Sequence, residues 1–354
     1  MIFILVCTIL GWLSLHYKRS IFLYILLLVS CFVLMGYNTS NADYDSYVNR
    51  YDWASYPDGG DMMSVLDITD ETIQAFFKEI GIVDYATYRI IYSAIIITIF
   101  GWFVSRVCEY RNVFMAIYLT FYVILDTIQI RNFSGLVVLL PFIPLLQKNS
   151  LLSTLLYVGG VLLSSTIHFS MISFLIFAFI NIKSKKLRII GIILFLLFLV
   201  LSASIISSTA AFDRVDGYQR SSVLGALYGA TIVIFNYLMM KKATNYYKRY
   251  MSGQSCQLTI SRIGYGLIGD LNFFLLFIIP IYFINASIGR IFRYMSIINV
   301  IFLLNMISMM GIRKSKRMWI VLTIIYISYF ALFFIYLKPE VFYPVLTSNS
   351  IFTF

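Results

Sequence analysis

Charge is scarce in this 354-residue chain: Asp, Glu, Lys and Arg together make up 12% of it, against 60% hydrophobic residues. With a mean hydropathy of +0.87 and apolar runs of span length, a water-soluble globule is excluded. Histidine is nearly absent, with only His16 and His168, and the four cysteines have no metal-binding spacing. Cys7 and Cys31 lie inside apolar runs, Cys108 and Cys256 between them, so no disulfide framework follows. The sequence has no Walker A loop, no Gly-rich dinucleotide turn, no zinc signature and no Gly-x-Ser-x-Gly elbow. Nucleotide-, zinc- and elbow-type chemistries therefore have no motif to rest on. Internal repeats, which would favour a transporter, are not seen either, and the start at Ile2 has no basic leader, which reads as a retained first helix.

What is present is a polytopic, all-α integral membrane protein. The net charge of +11 suggests nucleic acid at first sight, but the basic residues sit in short clusters between apolar runs. That is the arrangement of the positive-inside rule, so the charge reports topology and no nucleic acid is expected. Placing Lys18-Arg19, Arg106 with Arg111, Lys183 to Arg188, Lys241 to Arg249 and Arg313 to Arg317 in the cytoplasm orients the chain. The runs are Ile2–Leu15, Ile21–Gly36, Tyr88–Ser105, Val113–Leu125, Ser134–Leu146, Leu151–Ile180, Ile189–Ala210, Val223–Met240, Gly264–Phe283, Ile288–Gly311 and Trp319–Leu337. Leu151–Ile180 divides at Ser164–His168 in one reading, making about twelve spans; in the other it is one tilted helix beside a re-entrant Ser134–Leu146, making ten. The whole chain, 1–354, reads as a single membrane domain with an extracytoplasmic segment, 37–87, between the second and third spans.

That segment is the one long hydrophilic passage. It holds Asp43, Asp45, Asp52, Asp58, Asp61, Asp67, Asp70, Glu71, Glu79 and Asp84 against Arg50 and Lys78, interleaved with Tyr44, Tyr47, Tyr51 and Trp53. Such residues hydrogen-bond and stack on sugars, although a solvated connector has the same composition. Thr69-Asp70-Glu71-Thr72 followed by Ile73, Phe76, Phe77 and Ile80 predicts a capped amphipathic helix on the membrane surface. Asp43-Tyr44-Asp45 has the spacing of a metal-binding Asp-x-Asp, but that tripeptide is weakly specific, and no metal or other cofactor is expected.

Five arginines break the positive-inside rule: Arg131, Arg214, Arg220, Arg290 and Arg293 all fall on or near the outer face. Guanidinium binds phosphate or carboxylate through two parallel hydrogen bonds and keeps its charge when desolvated, which points to an anionic ligand. Ion pairs of Asp126 with Arg131, or of Asp213 and Asp216 with Arg214 and Arg220, are the alternative. Arg290 and Arg293 have no acid nearby in sequence and share a helix face. His168, if it lies beside Arg131 at the surface, acts as a general base or phosphate ligand; otherwise it packs helices. Asp270, set in an apolar run, is a proton-relay group or a buried polar contact.

The order Asn41-Ala42-Asp43-Tyr44-Asp45-Ser46-Tyr47 with Tyr51, then Ile130-Arg131-Asn132, then Ile167-His168-Phe169-Ser170, resembles the EpsG family of bacterial exopolysaccharide polymerases, a Wzy-like group. The stretch Arg290 to Tyr294 and the tail Phe342-Tyr343-Pro344 extend the resemblance over nearly the whole chain. It implies a glycosyltransferase-type polymerase of the cytoplasmic membrane, making capsule, exopolysaccharide or O-antigen at its outer face from repeat units carried on undecaprenyl diphosphate. Arg131 would bind the diphosphate, with Arg290, Arg293, Arg214 and Arg220 as further ligands. His168, Asp43 or Asp45 would take the acceptor proton, and Tyr44, Tyr47, Tyr51 and Asn132 would hold substrate. A flippase and a chain-length regulator of the same pathway are the implied partners besides the bilayer. By analogy the fold is related to the GT-C-like membrane glycosyltransferases. A flippase or exporter of lipid-linked oligosaccharide and a membrane O-acyltransferase are the alternative activities.

Overall fold

A computed structural model describes residues 2–55, 68–208, 223–252, 265–284, 289–310, 316–336 and 339–351. Among these residues the protein is all-helical, with no strand beyond one isolated bridge between Asn38 and Asn349. Five helices are long and apolar enough to cross a membrane: Tyr85–Val107, Arg111–Ile128, Ile130–Lys148, Gly266–Phe283 and Arg290–Met310. Ile21–Gly36, Leu151–Ser165 and Phe169–Asn181 are shorter apolar helices. It is a membrane protein by this architecture, and it divides into two compact units.

The first unit comprises residues 1–141, 162–169 and 337–354. Its helices are α1 (Ile2–His16), α2 (Ile21–Gly36), α3 (Tyr44–Asp52), α4 (Ile68–Glu79), α5 (Tyr85–Val107), α6 (Arg111–Ile117), α7 (Val123–Ile128) and α8 (Ile130–Leu139). α2 and α5 pack against each other, with Leu27, Cys31 and Met35 on α2 and Phe100 and Val104 on α5 all fully buried. The approach is close because Gly101 has no side chain: a Cβ there would lie 2.7 Å from a Leu28 methyl. Tyr24 donates its hydroxyl to the Gly101 carbonyl at 2.5 Å.

The boundaries differ from the hydropathy reading in three places. α5 starts at Tyr85 rather than Tyr88, because Asp84 caps it by accepting the Thr87 N–H at 2.8 Å, which holds the Asp84 carboxyl below its ordinary range. The stretch Asp126 to Asn132 is a buried break between helices rather than an exposed loop: Asp126 and Thr127 are fully buried in α7, Gln129 alone leaves helical geometry, and Arg131 already belongs to α8. The fifth run accordingly starts at Ile130, not Ser134, and continues past Leu139 as a 3-10 helix, Leu140–Lys148. Between α6 and α7 one π-helical turn, Tyr118–Tyr122, brings the Tyr118 hydroxyl to Asp126 at 2.9 Å.

Two ends of this unit are defined by their connections. At one, Asn112, fully buried, donates to the carbonyls of Tyr17 and Ser20, so the two basic turns of the sequence lie together. At the other, the C-terminal residues close over the last turn of α2. Asn349 donates to the Val33 carbonyl at 2.9 Å, beside the Tyr37 N–H that the same carbonyl accepts, and Asn38 donates to the Ser348 carbonyl at 3.0 Å. The acidic segment occupies this second end, since α2 leads into it and α5 leads out.

The second unit comprises residues 142–161 and 170–336. Its helices are α9 (Leu151–Ser165), whose last turn belongs to the first unit, then α10 (Lys185–Ser208), α11 (Val223–Ser252), α12 (Tyr265–Leu275), α13 (Ile279–Ile284), α14 (Arg290–Met310) and α15 (Lys316–Tyr336). α16 (Pro339–Thr347) carries the chain back into the first unit. The uncharged run after Leu151 turns back on itself: α9 is followed by a 3-10 helix, Phe169–Asn181, with Tyr157 donating to the Phe174 carbonyl and Asn181 to Thr154. Those pairings are antiparallel, which is the divided reading of Leu151–Ile180 rather than the single tilted helix. α12 and α14 are joined by Asn272 and Asn299, which exchange two amide hydrogen bonds of 2.8 and 2.9 Å in a buried setting. Asp270, two residues earlier, is exposed, so the polar contact expected there belongs to Asn272 instead.

Candidate functional site

The acidic segment is organised by aromatic stacking rather than by solvation. Tyr85, Tyr88, Arg89 and Tyr92 recur at helical spacing and form one face of α5. Tyr44 meets the Tyr85 ring edge-on at 5.4 Å, Tyr51 stacks on Tyr88 at 4.7 Å, and Phe77 of α4 meets Tyr88 from the other side at 5.3 Å. α3 and α4 are thereby seated on the start of a membrane helix. Lys78 links them, donating to the carbonyls of Asp52 and Ala54.

The amphipathic helix predicted from Thr69 is α4, but its buried face is the polar one. Asp70 and Gln74, one turn apart, are 0% and 3% exposed, while Phe76 and Ile80 are exposed. Asp70 is the centre of the site. Its Oδ2 lies 2.8 Å from Arg131 Nε, receives the Gln74 amide at 2.8 Å, and is 3.5 Å from Arg50 Nε. Arg50 also pairs with Glu71 at 2.9 Å. The carboxylate that pairs with Arg131 is therefore Asp70, not Asp126, and the sequence distance between them hid it.

Three segments far apart in the chain meet here. Arg131 donates toward the Ile167 carbonyl at 3.4 Å, Thr69 N–H donates to the Thr166 carbonyl at 3.1 Å, and the Thr69 and Thr166 hydroxyls lie 2.7 Å apart. Ser164 donates to the Gly135 carbonyl, fastening the same turn to α8. His168, half-buried, follows immediately. A narrow cleft of about 10 Å³, room for about one water molecule, is lined by Tyr47, Asp70, Tyr85, Arg89, Arg131 and their neighbours.

Arg89 escaped the reading of the sequence because it lies in the first turns of an apolar run. It is 1% exposed, and donates to the carbonyls of Met35 at 2.8 Å and Thr127 at 2.7 Å and toward the Tyr85 hydroxyl at 3.3 Å. Met35 and Thr127 each stand one residue before the end of their helix. The guanidinium thus sits at two helix C-termini, whose partial negative charges, about half a unit each, compensate it without a carboxylate. Its face lies 5.5 Å from the Tyr44 ring.

The other predicted residues fall as follows. Asp43 directly precedes α3, and Asp45 is exposed on it; neither lines the cleft. Asn41 holds the turn before α3, accepting from Asp43 N–H and donating to Asn38. Tyr47 lines the cleft, whereas Tyr51 is fully buried with its hydroxyl 2.6 Å from the Ile82 carbonyl. Tyr51 is therefore a structural anchor rather than a glycan contact. Tyr51→Phe is expected to lower stability by about 1 kcal/mol and leave activity within a few-fold of wild type, checked by thermal unfolding and a polymerisation assay. Tyr44 is partly buried, which pushes its phenol up despite the opposing Arg89 charge, so it is a neutral hydrogen-bonding group at pH 7. Asn132 is buried on α8. Arg290 and Arg293 belong to the second unit, at the start of α14; Arg293 is buried and reaches the Tyr294 hydroxyl at 2.8 Å. Arg214 and Arg220 lie outside the described residues. Among the described residues no group of three His, Cys, Asp or Glu side chains is placed to hold a metal ion, including around Asp43-Tyr44-Asp45.

The EpsG family model matches residues 20–346, which spans α2 through α16 and so takes in every segment of this cleft. The chain belongs to the EpsG family. That membership supports an exopolysaccharide-related polymerase of glycosyltransferase type in general terms. No curated protein and no solved structure matches the chain. Within this EpsG protein the motifs around Asn41, Arg131 and His168 have distinct jobs: the first orients α3, the second carries the buried charge, and the third closes the turn beside it.

Proposed function

We propose that this EpsG protein joins undecaprenyl-diphosphate-linked oligosaccharide repeat units at the outer face of the cytoplasmic membrane, extending an exopolysaccharide of the capsule or O-antigen kind. The observation that carries the reading is the Arg131–Asp70 pair, a guanidinium held at 2.8 Å in a tyrosine-lined cleft at the end of the unit bearing the acidic segment. In the reaction an acceptor sugar hydroxyl attacks C1 of the donor sugar. The C1–O bond to the diphosphate breaks, undecaprenyl diphosphate leaves, and the hydroxyl proton passes to a base. No nucleotide enters, because the donor is already activated.

Arg131 binds the diphosphate and stabilises the charge that develops on it as it leaves. Asp70 orients that guanidinium through its Nε edge. The Asp70 carboxylate is already engaged by Arg131, Gln74 and Arg50 at once, so the proton acceptor is assigned to His168, one residue beyond the carbonyl that Arg131 approaches. Asp43 and Asp45 lie off the cleft and are assigned to the rim, where Tyr44 and Tyr47 meet the glycan. The flippase and the chain-length regulator of the pathway are the protein partners of this reading.

The test is polymer formation by purified variants supplied with lipid-linked repeats. Arg131→Lys should lose most activity at unchanged protein level, since lysine keeps the charge but not the two-pronged geometry, and His168→Gln should remove the activity. Full activity in the lysine variant would reduce Arg131 to an ion-pairing residue. Repeats that change sides of the membrane without lengthening would replace polymerisation by transport.

A further inference from the structure

α5 has a cleft at each end. The tyrosine-lined one surrounds Tyr85, Tyr88 and Arg89; the other is built where Arg106 ends the helix. From Tyr88 to Arg106 the helix rises roughly 27 Å, close to the roughly 30 Å of a bilayer's hydrocarbon core, so the two clefts belong to opposite faces. The second is an open cleft of about 230 Å³ lined by Arg19, Arg106, Arg111 and a single acid, Glu109, besides neighbouring residues of the α5–α6 turn.

Its arginines are not a loose basic patch. Arg19 is held by Glu109 at 2.6 Å. Arg111 donates to the Arg19 carbonyl at 3.0 Å and lays its guanidinium 5.1 Å from the Tyr24 ring. Buried Asn112 locks the two turns together beneath them. Arg106, by contrast, is exposed and meets no carboxylate among the described residues, although Glu109 is three residues away. Topology alone asks for positive charge on this face; it does not ask for two braced guanidiniums around an open cleft with a third guanidinium beside them. Three guanidiniums against one carboxylate leave the cleft with a net charge of about +2, and forks of this kind match the oxygens of phosphate.

We propose that this cleft is a second anion site, binding a phosphate or diphosphate group on the face opposite the reactive cleft. The group belongs to a lipid headgroup of that leaflet or to a soluble phosphate compound. Arg106 is its principal ligand, and Arg19 and Arg111 form the wall.

The experiment measures binding of labelled inorganic pyrophosphate to the full-length protein purified in detergent. It is repeated in nanodiscs of phosphatidylcholine alone and of phosphatidylcholine with phosphatidylglycerol. Arg106→Gln should weaken one class of pyrophosphate sites by about tenfold while leaving polymerisation substrate binding and thermal stability unchanged, since Arg106 braces nothing. Arg131→Lys should spare that class, so failure of the reactive-cleft reading and failure of this one are separable. Displacement of pyrophosphate by phosphatidylglycerol in wild type but not in Arg106→Gln identifies a lipid headgroup; binding indifferent to the lipid identifies a soluble phosphate. Pyrophosphate and phosphatidylglycerol binding equal in wild type and Arg106→Gln would overturn the proposal.

Discussion

Asp70→Asn should slow polymerisation by about two orders of magnitude while tightening pyrophosphate binding in the reactive cleft. Asparagine keeps the shape of the side chain but removes the charge that holds Arg131 Nε at 2.8 Å. The cleft then carries one more net positive charge, so an anion binds better. The guanidinium, however, is no longer aimed, and a displacement of about 1 Å in a positioning group costs on the order of 100-fold in rate. Tighter binding with slower turnover is a split that a merely structural residue would not produce. Asp70→Ala should do more damage, because Arg131, 11% exposed at its side chain, would lose its charge partner altogether. Breaking a buried pair from one side typically costs about 3–5 kcal/mol, so this variant should accumulate poorly. Steady-state kinetics with lipid-linked repeats, beside equilibrium binding of pyrophosphate, decides the point. An Asp70→Asn protein with unchanged turnover would remove Asp70 from the site.

The largest effect on stability is expected at Arg89. Arg89→Met fills much of the same volume but leaves the carbonyls of Met35 and Thr127 without their donor, at helix ends where no backbone N–H is available to replace it. Hydrogen bonds to a charged group contribute about 1.5–3 kcal/mol each and are not additive, so a loss of about 4 kcal/mol follows. Arg89→Lys should recover a minority of it, since an ammonium at that distance cannot reach both carbonyls in the plane of a guanidinium. Thermal unfolding of the purified proteins in one detergent is the measurement. A methionine variant that melts with wild type would mean that the two helix ends are held by packing alone.

Both residues show where the limits of the sequence lie. Membrane class and the apolar runs were legible without coordinates, because hydrophobic length is a local property of the chain. The helix beginning near Thr69 was legible from its spacing. The order of the Asn41, Arg131 and His168 motifs carried the family, and the match over residues 20–346 agrees with it.

What only the tertiary structure decided is which charges face each other. Asp70 looked like a capping residue on a membrane-surface helix, and its burial depends on Tyr51, Phe77 and Tyr88 stacking across three helices. Asp126 stood five residues from Arg131 and was the natural partner by proximity, yet α7 turns it toward Tyr118. Arg89 was hidden inside an apolar run because its counter-charge is not a residue at all but the ends of α2 and α7, and a helix dipole has no letter in a sequence. Hydropathy reports which segments leave water; the pairing of the few charges they take with them is a matter of packing, and packing joins positions 70, 131 and 167 that nothing in their local sequence relates.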